Sequence, residues 1–306
     1  MLSIVFLLLP LFGLIGIGYL AGHHKIAKLT WVSVLNLFGF YIAFPALIFK
    51  SLAFADISLQ LHGTILLLQL GLAAGIMLLT YGICTWLGLS KADRNTFTIG
   101  LYFSNAGYIG ISALQLVFGD AAAAEGAVIV SAMIVVTLTL GIGLLEASKH
   151  RTIHVTNILR GIIRNPLIWA TLAGFAIGFS DVTLPSAVVQ FVELLAATAS
   201  PTVLVALGIF MAFNHPKNHA LRQASVLAIG KVVVIPALLG VIMWLLPNSH
   251  WLDTTFIQSV MPVAITAFAL SEIYPMNRSV VSSAIVFSVL LSFVTIPLAM
   301  WLAPLL

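Results

Sequence analysis

Charge is what this sequence has least of. Only 7% of its 306 residues are Asp, Glu, Lys or Arg, where a soluble domain uses roughly 25%. Thirteen Lys/Arg and nine Asp/Glu cannot tile a water-facing surface of this length. Cysteine is nearly absent as well: Cys84 stands alone, which excludes a disulfide scaffold. A hydrophobic fraction of 61% excludes intrinsic disorder. What is abundant is uninterrupted apolar chain. A bilayer span takes about 20 apolar residues, so ten spans would use about 200 and leave about 100 for connections. That leaves no room for a soluble domain, and the chain reads as a polytopic membrane protein. The formal charge of +4 then concerns topology and does not point to nucleic acid.

Hydropathy predicts ten spans, near 3–22, 31–53, 61–88, 96–117, 126–148, 166–180, 186–213, 221–246, 254–273 and 279–304. Runs such as Ile65 to Leu70 and Val280 to Val289 do not alternate, which argues against a transmembrane β-barrel. The first span is too long for a cleaved signal peptide and lacks its basic leader. Eleven of the thirteen Lys/Arg fall after the odd-numbered spans, from Lys25 and Lys28 through Lys91, Arg94, Lys149, Arg151, Arg160, Arg164, Lys217 and Arg222 to Arg278. The other connections hold Asp56, Asp120, Asp181 and Asp253. The positive-inside rule therefore puts the odd connections in the cytoplasm and both termini outside the cytoplasmic (inner) membrane. In the longest connection, Val155, Ile158, Leu159, Ile162 and Ile163 recur at helical spacing, with arginines elsewhere on the wheel. That pattern suits either a short amphipathic helix on the inner leaflet or a cytoplasmic start to span 6.

The two halves repeat. Phe44-Pro45-Ala46 and Ser200-Pro201-Thr202 lie 156 residues apart; Asn105 and Pro262, like Asn36 and Glu193, lie 157 apart. The expected organisation is a first five-helix repeat over 1–148, a cytoplasmic connection over 149–165 and a second repeat over 166–306. An odd number of spans per half inverts the second copy, which is a secondary-transporter plan. Pro45 and Pro201 are the expected structural breaks of spans 2 and 7. Asn105 and Pro262 each fall roughly 12–15 Å into their spans, near the middle of the bilayer. Gly107 and Gly110 lack side chains and Pro262 lacks an N–H, so spans 4 and 9 should break there. Backbone freed inside a bilayer persists only where it lines a cavity or packs in protein. Half-helix N-termini converging at the midplane favour an anion, especially a carboxylate.

Taken singly, Lys231 is the most informative charge, about 14 Å into span 8. A charge at that depth needs a partner or a purpose, so Lys231 is a candidate for coupling or compensation of substrate charge. Glu193, two turns into span 7, is the second such candidate; the alternative is that it reaches the interface. Ser288, Ser292 and Thr295 form a polar stripe on span 10 that either lines a path or serves helix packing. Lys50 reads as a snorkelling side chain. The eight histidines fall in or near connections, and His215 and His219, with Pro216 between them, make a poor metal pair. No cofactor, metal or catalytic constellation is expected.

Phe103-Ser-Asn-Ala-Gly-Tyr-Ile-Gly-Ile-Ser-Ala-Leu with Phe118-Gly119 resembles the span 4 signature of the auxin efflux carrier family. Asn165-Pro166-Leu167-Ile168, Leu184-Pro185, Lys231 to Pro236, and Met261-Pro262 through Glu272-Ile-Tyr274 resemble it too, across essentially the whole chain. Ser112 and Val263 are departures. The short central connection is similar to the bacterial permease branch. The resemblance implies that broken spans 4 and 9 cross, and that spans 1, 2, 6 and 7 form a scaffold against which the other six move as an elevator. It also implies small organic anions such as malate or malonate as substrate, and a homodimer. The expected fold is thus an all-α integral membrane protein, ten transmembrane helices in a 5+5 inverted repeat. Its expected substrate-binding residues are Asn105, Ala106, Gly107, Pro262, Val263 and Ser288. Proton coupling is one expectation for the driving force. A sodium-coupled symporter of the bile-acid type is the alternative carrier, and a membrane receptor that binds without transporting is the alternative class.

Overall fold

The computed structural model describes residues 2–55, 59–150, 155–180, 182–216, 218–245 and 250–303. Asp56, Arg151, His154, Asp181 and Lys217, which the charge and histidine readings use, lie outside the described residues. The helices, in chain order, are α1 (Leu2–His23), α2 (Leu29–Ala53), α3 (Leu59–Trp86), α4 (Lys91–Tyr102), α5 (Ala106–Phe118), α6 (Asp120–Lys149) and α7 (Val155–Arg164). They continue as α8 (Pro166–Gly178), α9 (Ser186–Phe213), α10 (Asn218–Leu245), α11 (His250–Ser259), α12 (Thr266–Ile273) and α13 (Arg278–Leu302). Among the described residues there is no β-strand, and α1, α2, α3, α6, α9, α10 and α13 are long and apolar enough to cross a membrane. Continuous Leu, Ile, Val and Phe make these helices, and short polar caps start several others. Ser90 Oγ accepts from Asp93 N at 3.1 Å to open α4, and Asn165 Oδ1 accepts from Leu167 N at 2.9 Å ahead of Pro166 in α8. Predicted span 4 starts at 96, whereas α4 starts at Lys91, because its first turns carry Asp93, Arg94 and Asn95 and read as polar.

Several helices are locally widened. One π-helical turn covers Gly39–Ala43 in α2, just before Phe44-Pro45, a second covers Thr137–Gly141 in α6, and a third covers Gly230–Val234 in α10. Such turns open the hydrogen-bond ladder and recur at functional positions. Helix α9 is interrupted at Thr198, before Ser200-Pro201.

The chain gathers into two compact units, each discontinuous in sequence. The first comprises residues 1–66, 107–131 and 165–213. Its core is apolar and close-packed. A Cβ placed on Gly208 would stand 2.0 Å from the Ile15 carbonyl oxygen, and one on Gly18 would stand 2.1 Å from that of Val205. Helices α1 and α9 therefore meet backbone to backbone, an approach that only small residues permit in a membrane. Helix α8 lies on α2 in similar fashion, with Gly174 against Leu52.

The second unit comprises residues 67–106, 132–164 and 214–306. One apolar cluster joins α10 and α13 through Ala220, Ala224, Leu227, Val280 and Ala284. Another joins α3, α4 and α6 through Ala73, Met77, Tyr102 and Val136. One end of this unit is polar and tied. Asn95 Nδ2 donates to Pro275 O at 3.0 Å, Thr96 Oγ1 accepts from Asn277 N at 2.7 Å, and Lys149 Nζ donates to Ile273 O at 3.1 Å. Tyr274, just past α12, donates to Glu146 Oε1 at 3.4 Å; burial and that carboxylate push its hydroxyl pKa above the ordinary value.

Candidate functional site

The interior of the second unit holds the two breaks predicted from Asn105 and Pro262. Helix α4 ends at Tyr102 and α11 at Ser259, and the stretches that follow are extended rather than helical. They pair as a miniature antiparallel ladder. Asn105 N donates to Pro262 O at 2.7 Å, Ala264 N donates to Phe103 O at 3.1 Å, and Ser104 stands opposite Val263. Val263 N donates to Ser288 Oγ on α13 at 3.1 Å, and that hydroxyl donates in turn to Ile285 O at 3.0 Å. The sequence reason is direct: Pro262 cannot continue a helix, and the chain beside it must find partners for the N–H groups this frees. Each break supplies them for the other.

The N–H groups of Asn105, Val263 and Ala264 thus have acceptors, and certain side chains have none. Asn105 is 3% exposed, and its Nδ2 has no hydrogen-bond partner among the described residues. Gln258, one turn before Pro262, is equally buried, and both Nε2 and Oε1 lack partners there. A buried amide left open costs about 1–3 kcal/mol, so two in one interior call for an explanation. Gln69 on α3 donates to Thr255 on α11, so its amide is engaged.

Lys231 lies in the π-helical turn of α10, fully inside the unit. Its Nζ donates to Ser259 O, the last carbonyl of α11, at 2.9 Å. That is one acceptor for a group with three donors, at the carbonyl end of a helix, where a cation is favoured. Among the described residues no Asp or Glu is buried. The interior of this unit therefore has a positive bias, open amide donors and no acid to cancel the charge.

The structure brings Asn105, Ala106, Pro262, Val263, Ser288 and Lys231 into this one unit. Gly107 belongs to the first unit, where it meets the Phe44 ring: a Cβ on it would be 2.0 Å from Phe44 Cζ. Tyr108 packs on the same ring at 4.4 Å between centroids. Pro45 follows the π-helical turn of α2 and is half-buried, while Pro201 is exposed in α9. Ser200 beside it donates to Tyr108 O at 2.6 Å and bonds the Ser112 hydroxyl. Glu193 is exposed, between exposed Phe191 and Leu194. Ser288 and Ser292 are fully buried and their hydroxyls bond carbonyls of α13 itself, while Thr295 is half-buried and its Oγ1 has no partner among the described residues. Sequence reasoning passed over Gln258; its position one turn from Pro262 was the available signal. Among the described residues no three His, Cys, Asp or Glu come together as a metal site would need.

Comparison with known proteins agrees with a transport role. The family described as "Membrane transport protein" matches over residues 3–154 and 142–300. The chain is 27% identical to a protein of Rhizobium meliloti (strain 1021) named "Putative malonate transporter", over 97% of this chain and 94% of the relative. It is 24% identical to an "Uncharacterized transporter" of Methanothermobacter thermautotrophicus, over 87% of each chain. A shorter match, 27% identical over 44% of this chain and 23% of the relative, is to "Auxin efflux carrier component 1" of Arabidopsis thaliana.

Proposed function

We propose, starting from the fact that this chain belongs to the membrane transport protein family of the auxin efflux carriers, that it is a secondary carrier of a small organic anion. The observation that carries this reading is the interior of the second unit: a buried Lys231, an open Asn105 amide and no buried acid among the described residues. A carboxylate is the ligand that such donors complement. One carboxylate oxygen accepts from Asn105 Nδ2 at the start of the second half of broken span 4, where the helix N-terminus adds its positive end. Ala106, Pro262 and Val263 shape the surrounding backbone, and Ser288 holds the Val263 N–H in place. Lys231 compensates the substrate's charge or exchanges a proton with it; Glu193 is a second candidate for coupling.

The larger plan is ten transmembrane helices in a 5+5 inverted repeat, with repeats over 1–148 and 166–306 joined by 149–165. Interruptions at Gly39–Ala43 and Thr198, and at 103–105 and 260–265, support it by recurring at close to one spacing. Transport by an elevator motion gains support from the two discontinuous units, one of which holds α1, α2, α8 and α9. The unit boundaries differ from the family plan in giving that unit the start of α3, most of α5 and the start of α6 as well. Both termini lie outside the cytoplasmic membrane, and a homodimer is the assembly.

The relative named for malonate makes malonate the first substrate to try. The test is uptake of labelled malonate, malate, lactate, indole-3-acetate and a neutral sugar into proteoliposomes, with and without imposed proton or sodium gradients. Saturable uptake of one or more anions is expected, with the half-saturating concentration raised about fivefold to tenfold in Asn105→Ala. Sugar uptake, or ligand binding without any uptake, would overturn the carrier reading.

A further inference from the structure

Helix α7 (Val155–Arg164) carries apolar and basic residues on separate arcs and uses only part of the first. At 100° per residue, Leu159, Ile162 and Ile163 share one side of the wheel, and Arg160 and Arg164 stand on the other. Ile162 is half-buried, whereas Leu159 and Ile163 are 52% and 62% exposed and the two arginines beside them are exposed too. The exposed strip of α7 is thus apolar along one edge and cationic along the next.

The location selects the occupant. Arg164 is followed at once by Asn165-Pro166, which caps the apolar helix α8, and Trp169 one turn further is 57% exposed. An exposed Trp just inside an apolar helix marks the lipid–water boundary, so α7 lies at headgroup level. From Glu146 to Asp181 the sequence has no acidic residue, while it has Lys149, Arg151, Arg160 and Arg164. Arginines four apart on a helix hold their side chains close enough to share one phosphate.

We propose that α7 is a docking surface for an anionic phospholipid, its phosphate held between Arg160 and Arg164 and an acyl chain lying along Leu159 and Ile163. A zwitterionic lipid offers the same acyl chain but cancels the charge the arginines would meet. The proposal rests on membrane embedding alone and not on the substrate, so its failure and that of the carrier reading are separate results.

The experiment places a bimane label at Leu159→Cys in a Cys84→Ser background. The full chain is then set in nanodiscs of phosphatidylcholine with increasing phosphatidylglycerol. Quenching by acrylamide is expected to fall as the phosphatidylglycerol fraction rises. Arg160→Gln with Arg164→Gln should remove that dependence, each lost arginine weakening the interaction about fivefold. The pair Arg160→Lys and Arg164→Lys keeps charge and should keep most of the effect, which separates charge from misfolding. Quenching that ignores phosphatidylglycerol would overturn the proposal. So would full protection in phosphatidylcholine alone, which would mean that neutral lipid or a second copy covers the helix.

Discussion

In the first unit an interrupted helix is closed by side chains; in the second, two interrupted stretches close each other's backbone and leave amides open. A Cβ on Gly39 would meet Val203 at 2.5 Å and the Tyr108 hydroxyl at 3.5 Å, Tyr108 packs on the Phe44 ring, and the Ser200 hydroxyl bonds Tyr108 O and Ser112. At the crossing of 103–105 with 261–264, the N–H groups of Asn105, Val263 and Ala264 all have acceptors. Yet Asn105 Nδ2 and the whole Gln258 amide have none among the described residues, and Lys231 has a single carbonyl. Both interiors solve the membrane's demand that backbone be satisfied. Among the described residues the open buried side chains all fall in the second, and unspent hydrogen-bonding capacity inside a protein is what a polar ligand completes.

The contrast can be broken from either side. The largest effect is expected from Gly208→Leu in the first unit, where even a Cβ meets the Ile15 carbonyl. Overpacking of this kind costs about 3 kcal/mol or more, so the purified variant should lose most of its thermal stability or fail to fold, read by melting in detergent. Next comes Lys231→Met in the second unit. A buried charge replaced by an apolar side chain of similar length should leave the melting temperature level or raise it. Anion uptake in the same variant should fall about 10- to 100-fold, the worth of a charge-assisted hydrogen bond.

Asn105→Ala follows, with the half-saturating anion concentration rising about fivefold to tenfold and stability nearly unchanged, since its Nδ2 has no partner among the described residues. Ser288→Ala should show the reverse pattern. It strands the Val263 N–H and costs about 1 kcal/mol of stability, with a smaller change in uptake. Gln258→Leu is the mildest and the most diagnostic for stability. Removing two open buried groups should raise the melting temperature by an amount equivalent to about 1 kcal/mol.

Much of this was legible in the sequence, for a physical reason. Apolar runs and Pro or Gly interruptions act through local chain properties, so the positions of the long helices and of both breaks could be read from residues alone. That Lys231 stands well inside α10 followed from counting residues from the helix start. What could not be read was which polar groups would find partners. Asn105 and Gln258 look alike on paper to Gln69 and Ser288, yet the first two are open while Gln69 bonds Thr255 and Ser288 takes the Val263 N–H. That distinction is made by tertiary neighbours 25 to 186 residues away. The π-helical turns were equally hidden, since nothing in the residue types of Thr137–Gly141 or Gly39–Ala43 distinguishes them from α-helix. So was the packing of Gly107 against Phe44, which lies far off in sequence.

The most direct measurement is equilibrium binding of labelled malonate and its competing anions to the purified protein, beside Lys231→Met and Ser288→Ala. Saturable anion binding that collapses in Lys231→Met, persists in Ser288→Ala and ignores neutral sugars is the expected result. Binding that survives Lys231→Met undiminished would contradict the claim that a buried positive interior recognises the substrate.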